Sequence, residues 1–118
     1  MINIFEKSCE VLNREIKAVL VYTDNGITAT VAGGDKAHIG AVTIIDESGA
    51  LTTNAFPTHK ESLISEKWAR VLFQKFNQPV VVSAGIHYDN ISKENIGVVV
   101  RQCDELLKKS LIEFEKEA

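Results

Sequence analysis

Gln78-Pro79-Val80-Val81-Val82-Ser83-Ala84-Gly85-Ile86-His87 is the stretch whose reading decides the fold. Gln78-Pro79 stops whatever precedes it and redirects the chain. Val80 to Ala84 is a short apolar run bounded by turn signals, the pattern of a strand buried on both faces. Just upstream, Ile64, Trp68, Val71, Leu72 and Phe76 recur at helical spacing, which predicts a helix over Ser62 to Phe76. Before that helix, Leu51 to about Thr58 reads as a strand. Pro57 cannot donate to a ladder, so it belongs at a sheet edge or a strand end. Strand, helix, strand is a crossover unit. Its two strands should run parallel.

The rest of the chain is laid around that unit. Downstream, Ser92 can cap a long helix through Phe114. Ile96, Val99, Cys103, Leu106, Leu107, Leu111 and Phe114 lie on its apolar stripe, and charges fill the opposite face. Upstream, Ile16 to Tyr22 and Ile27 to Val31 are β-rich runs around Asp24-Asn25-Gly26. Asn and Gly tolerate the positive φ of a type I′ hairpin turn. Gly33-Gly34-Asp35 turns the chain into Ile39 to Ile45, and Asp46-Glu47-Ser48-Gly49 ends that strand. Ile2 to Leu12 is ambiguous. Phe5, Cys9 and Leu12 fit a helical stripe, whereas Phe5, Cys9 and Val11 fit strand alternation. The expected fold class is α+β: one domain over residues 1–118, an antiparallel β-meander with a β-α-β crossover, and two amphipathic helices packed on one face.

Bulk properties narrow the function. A chain of 118 residues is long enough for one core without staples. Its net charge of −3 offers no footprint for nucleic acid and no attraction to an anionic membrane surface. Cys9 and Cys103 form no CxxC pair and read as reduced thiols of a cytoplasmic protein, with Cys103 a core residue. Met1 to Arg14 alternates charge without a long apolar run, so no leader peptide is expected, and no stretch is apolar enough to span a bilayer.

The three histidines, His38, His59 and His87, carry the functional argument. If Ser48-Gly49 is a two-residue turn, Val42 faces Ala55, Gly40 faces Pro57, and His38 faces His59. Opposed side chains share a face with Cβ atoms roughly 5 Å apart. The strand after the crossover runs parallel to the one ending at His59, so His87 arrives at the same edge. Both helices begin at that edge, and helix N-termini present N–H groups that suit phosphate. Lys60 is a counter-charge beside them, and Tyr88 offers an aromatic face to a flat ring.

A histidine taken alone is most often a surface or satisfied core residue; three at one edge weigh against that reading. Imidazoles with Asp35, Glu61 or Asp89 would suit a divalent metal, with His38, His59 and His87 as its ligands. Their spacing matches no standard metal motif. Gly33-Gly34 and Gly85 read as turn glycines rather than phosphate cradles, and Trp68 reads as core. Ser65 and Ser83 have no base to activate them. No complete catalytic constellation emerges, which favours a binder over an enzyme.

Three stretches together resemble the prenylated-flavin chaperone family, which includes the small third subunits of gallate decarboxylase-type systems. They are Gly33 to Val42, Thr58 to Glu61, and Gly85 to Ile91. The resemblance spans about Glu15 to Leu107 and fails at Asn13-Arg14, which match no motif of that family. It implies a fold similar to small proteasome-assembly chaperones, a first strand over Ile2–Leu12, and a homodimer. It implies binding of prenylated FMN, or FMN, and its supply to a UbiD-like decarboxylase acting on aromatic or unsaturated acids. Carried over by motif, the cofactor site would be His38, His59, Lys60, Glu61, His87 and Tyr88. Two other readings stay open: a small metal-dependent enzyme using His38 and His59 as ligands with Glu61 or Asp89 as base, and a protein-assembly chaperone without a cofactor.

Overall fold

The computed structural model describes residues 1–57 and 60–117. Six strands and two helices follow one another as β1 (Ile2–Val11), β2 (Arg14–Thr23), β3 (Gly26–Gly34), β4 (Lys36–Ile45), β5 (Leu51–Ala55), α1 (Ser62–Phe76), β6 (Val80–His87) and α2 (Lys93–Glu117). The strands form one sheet in the order β1-β2-β3-β6-β4-β5, and both helices lie on one side of it. The ambiguous first segment is a strand. Phe5 and Val11 point into the core, while Ile2 and Ile4 remain exposed.

The crossover inserts β6 in the middle of the sheet. β6 runs parallel to β3 and antiparallel to β4. The expected meander is therefore interrupted: β1, β2 and β3 are consecutive neighbours, but β3 and β4 are separated by β6. The apolar run explains the choice. Val80, Val82 and Ala84 are fully buried and need a neighbour on each side as well as the helices above. The other face of this strand is only half covered, at Val81 and Ser83, so β6 is not buried on both faces as its sequence suggests.

Two turns depart from expectation. A pair of positive φ angles, the mark of a type I′ turn, occurs at Leu12 (52°) and Asn13 (64°), between β1 and β2. The Asp24-Asn25 hairpin closes as expected, with Thr23 opposite Gly26, but without that conformation at either central residue. The β4–β5 turn is longer than two residues. Asp46 Oδ1 accepts the Ser48 amide at 2.9 Å, the Ser48 hydroxyl at 2.6 Å and the Ala50 amide at 3.1 Å. These bonds, the Ser48 hydroxyl foremost, hold the Asp46 carboxyl below the usual carboxylate range. With Ile45 opposite Leu51, the register moves by one residue, so Val42 faces Asn54 and Ala41 faces Ala55. This corrects the alignment that paired His38 with His59. Thr58 and His59 lie outside the described residues, and so does that pair.

Trp68, Leu72, Leu20, Ile16, Val82 and Leu106 are fully buried between sheet and helices. A hydroxyl ladder ties α1 to the sheet: buried Thr43 Oγ1 lies 2.9 Å from Thr53 Oγ1 and 2.8 Å from Ser65 Oγ. Ser92 caps α2 as its sequence predicts, its Oγ accepting the Asn95 amide at 3.1 Å. No described helix is long and apolar enough to cross a membrane.

Candidate functional site

The C-terminal end of β6 organises the site. Gly34 of β3 and Lys36 of β4 flank His87, so three strands deliver their ends to one place. Beside it the β4 ladder breaks. Ala37 pairs with Ile86 and Ala41 with Ala84, leaving His38, Ile39 and Gly40 against the single residue Gly85. A bulge of this kind re-aims a side chain. Two glycines make it possible. A Cβ at Gly85 would stand 1.5 Å from the His38 carbonyl oxygen, and one at Gly40 would stand 2.2 Å from Glu61 Oε2. Gly85 is thus a strand residue, not a turn glycine; it is bare because the bulge lies against it.

Each described histidine has a carboxylate. His38 Nε2 lies 3.1 Å from Glu61 Oε1, and both side chains are largely buried. Glu61 precedes α1, and its backbone carbonyl accepts the Ile64 and Ser65 amides. His87 Nε2 lies 2.9 Å from Asp89 Oδ1 in a more exposed setting. The rings of His38 and His87 meet edge to face, with centroids 6.3 Å apart. The expected convergence therefore holds for these two. Among the described residues, no group of three or more His, Cys, Asp and Glu side chains could hold a metal ion. The expected metal trio includes His59 and lies outside them.

A cleft of about 440 Å³ opens next to this pair, between the starts of α1 and α2. Its size suits a small organic ligand. Exposed Lys60 and His87 form a polar rim above the buried Glu61, and Ile64, Ile86, Ile91 and Val99 are among its apolar walls. Leu63 and Ile96 also line it, yet are 71% and 46% exposed. These apolar side chains are not core; they leave the mouth of the cleft open and apolar. Tyr88 forms part of the wall but is buried. Its hydroxyl donates to the Val11 carbonyl at 2.6 Å, and burial pushes its pKa up to about 12.

On the far side of Tyr88 and Ile91 lies a second, polar cleft of about 320 Å³, which Asn13, Arg14, Asp35 and Asp89 help to line. Asp35 joins three segments there. Its Oδ1 lies 2.6 Å from Arg14 Nε, its Oδ2 accepts the Asp89 amide at 2.8 Å, and its own amide donates to the His87 carbonyl at 2.7 Å. The Asp89 amide foremost, and the hydrogen bond and charge of Arg14 with it, hold the Asp35 carboxyl below its ordinary range.

Of the residues expected at the site, His38, Lys60, Glu61, His87 and Tyr88 are brought to one end of the sheet. The apolar walls escape a reading made from the sequence alone. Ile96 lies on the α2 stripe and reads as core, and Leu63 neighbours the buried Ile64. The one signal for them was the position of both residues in the first turn of a helix.

A small α+β domain with a mixed sheet and two helices on one side has a known counterpart in fold. A chain of a chaperone complex for yeast 20S proteasome assembly superposes with a TM-score of 0.54 at 12% identity, covering 93% of this chain and 98% of that one. At that identity the likeness is one of fold alone. Protein LpdD of Lactiplantibacillus plantarum is 29% identical over 100 residues, which is 80% of this chain and 74% of that protein. Residues 10–115 match the prenylated flavin chaperone LpdD-like domain. The chain belongs to that family.

Proposed function

We propose that this chain binds prenylated FMN in the apolar cleft between the two helix starts and serves as its chaperone for a UbiD-like decarboxylase. One observation carries the reading: the cleft combines a wide apolar wall with a cationic and imidazole rim, in a member of a prenylated flavin chaperone family. The donor set fits the group. A flavin ring with its added prenyl ring is broad and apolar, which suits Leu63, Ile86, Ile91, Ile96 and Val99. A phosphate suits the Lys60 ammonium and the N-terminal amides of α1 and α2. When bound, prenylated FMN would supply its reactivity to the client enzyme; the chain's residues hold and shield it. Glu61 keeps the His38 imidazole at a fixed place beside the cleft, and Asp89 does the same for His87. The proposed partners are a UbiD-like decarboxylase subunit and a second copy of this chain, in the cytoplasm.

Mixing the purified protein with prenylated FMN and reading flavin absorbance across gel filtration tests this. The flavin is expected to co-elute with the protein, and the elution volume reads the oligomeric state. Repeating the run with and without added divalent ion tests the metal expected from the histidines. Flavin eluting only with the small molecules under every condition would end the proposal.

A further inference from the structure

Arg14 lies within the stretch that matches the family, and it stands at one end of a continuous set of contacts that finishes on His87. The Leu12-Asn13 turn, with both residues in the left-handed region, brings Arg14 to Asp35. Arg14 Nη1 also donates to the Asn13 carbonyl at 3.0 Å, which fixes the guanidinium against its own turn. Asp35 then grips the residues on both sides of Tyr88: its amide donates to the His87 carbonyl, and its Oδ2 accepts from the Asp89 amide. Asp89 in turn holds the His87 ring nitrogen.

We propose that Arg14 and Asp35 are positioning residues: they clamp the His87–Asp89 segment and so set the rotamer of the His87 imidazole at the cleft. The inference rests on the reading of that cleft as a ligand site. The Arg14–Asp35 ion pair is not itself the source of the effect, since exposed pairs contribute little and the Arg14 side chain is 55% exposed. The effect that a substitution removes comes from the Asp35 carboxylate, whose Oδ2 accepts the Asp89 amide in a charge-assisted bond; the Asp35 amide keeps its bond to the His87 carbonyl in every variant. His87 is half exposed and meets the His38 ring only edge to face, so packing alone leaves its rotamer loosely held. The clamp supplies the choice. Tyr88 is anchored independently through Val11, so the segment stays folded when Asp35 is altered.

The test uses isotope-labelled full chain without ligand, and then prenylated FMN. Three-bond couplings report the His87 side-chain rotamer, and the nuclear Overhauser effect between the His38 and His87 rings reports their approach. In the unaltered protein, one rotamer and a ring-to-ring effect are expected. Asp35→Ala should average the couplings and abolish the ring-to-ring effect, with an unchanged melting temperature, and should weaken flavin binding about tenfold, as for the loss of a hydrogen bond to a charged group. Asp89→Ala should do the same. The double variant should be no worse than either single one, because both act on the same ring. Arg14→Gln should fall between Asp35→Ala and the unaltered chain.

Unchanged couplings in Asp35→Ala, or losses that add in the double variant, would overturn the inference. So would a disordered His87 with undiminished flavin affinity, since the clamp would then serve no ligand. If the unaltered protein binds no flavin, the proposed function fails, and the ligand-free couplings still decide whether Asp35 sets the ring.

Discussion

The two ends of the sheet are built on opposite plans. At the start of β6, Tyr22 stacks on Phe114 with centroids 3.7 Å apart and meets Phe76 at 5.3 Å, while Phe5 and Phe76 approach Phe114 at 6.3 and 6.0 Å. At the finish of β6, the place of aromatic packing is taken by bare glycines, a bulge, two imidazoles and three carboxylates. The first end is closed by dispersion and apolar burial. The second is held by hydrogen bonds and leaves clefts. The contrast separates the region that keeps the sheet folded from the region free to hold a ligand. Substitutions at the two ends should therefore fail differently.

The largest loss of stability is expected at the aromatic end. Tyr22→Ala removes a ring that is only 5% exposed, and should lower unfolding free energy by about 3–5 kcal/mol. Chemical denaturation measures it. Just above the unfolding transition's onset, the remaining folded protein should still bind ligand normally. Selective loss of binding in a variant of undiminished stability would show that the two ends are not separate.

Gly85→Ala should reverse that pattern. The new methyl would meet the His38 carbonyl at 1.5 Å, and neither backbone can yield without moving the bulge. Overpacking of this kind costs roughly 1–3 kcal/mol, less than the loss of Tyr22. The site should suffer more: the His38–Glu61 pair moves with the bulge, and flavin co-elution should be lost. Retained binding would mean that the bulge does not build the site. Leu63→Asp is milder still. An exposed residue changes stability by no more than about 0.5 kcal/mol, so the melting curve should hold while flavin affinity falls, as isothermal titration would measure.

The aromatic end was more legible in the sequence than the site. Leu72, Trp68, Cys103 and Leu107 announce their burial through helical period, because a stripe is a local pattern that needs no partner to be seen. The crossover was legible for a similar reason, since a strand that follows a crossover helix runs parallel to the strand before it and ends at the same edge wherever it inserts. What escaped depended on things that no single segment states. The Asp46 carboxylate lengthens a turn and slides a register by one residue. Two residues in the left-handed region, one of them Leu12, form a turn where sequence preference points to Asp24-Asn25-Gly26. Gly85 reads as punctuation in a sequence, and its strand role appears only once the His38 carbonyl lies against it. Leu63 and Ile96 look like core because exposure, not residue type, marks them as cleft.

The smallest effect concerns acid. The folded-state pKa of Asp35 is lowered, by the Asp89 amide first and then by Arg14, from an ordinary value of 3.8. A depressed carboxyl contributes stability that is fully present above its unfolded value and disappears as pH falls through its lower folded value. One carboxyl at the sheet's edge, paired with an exposed Arg14, contributes little to the whole domain, so global unfolding should barely register it. The local readout is the Asp89 amide, whose hydrogen bond to Asp35 Oδ2 weakens when the carboxylate takes a proton. The Asp89 amide resonance should therefore titrate below pH 3.8, in step with Asp35, while core amides of β6 such as Val82 do not move. Arg14→Gln should shift that local midpoint upward only part of the way, because the Asp89 amide bond remains. An Asp89 amide that ignores acid until the whole domain unfolds would show that the histidine end is held by something other than this carboxylate. It would then share the single cooperative stability of the aromatic end.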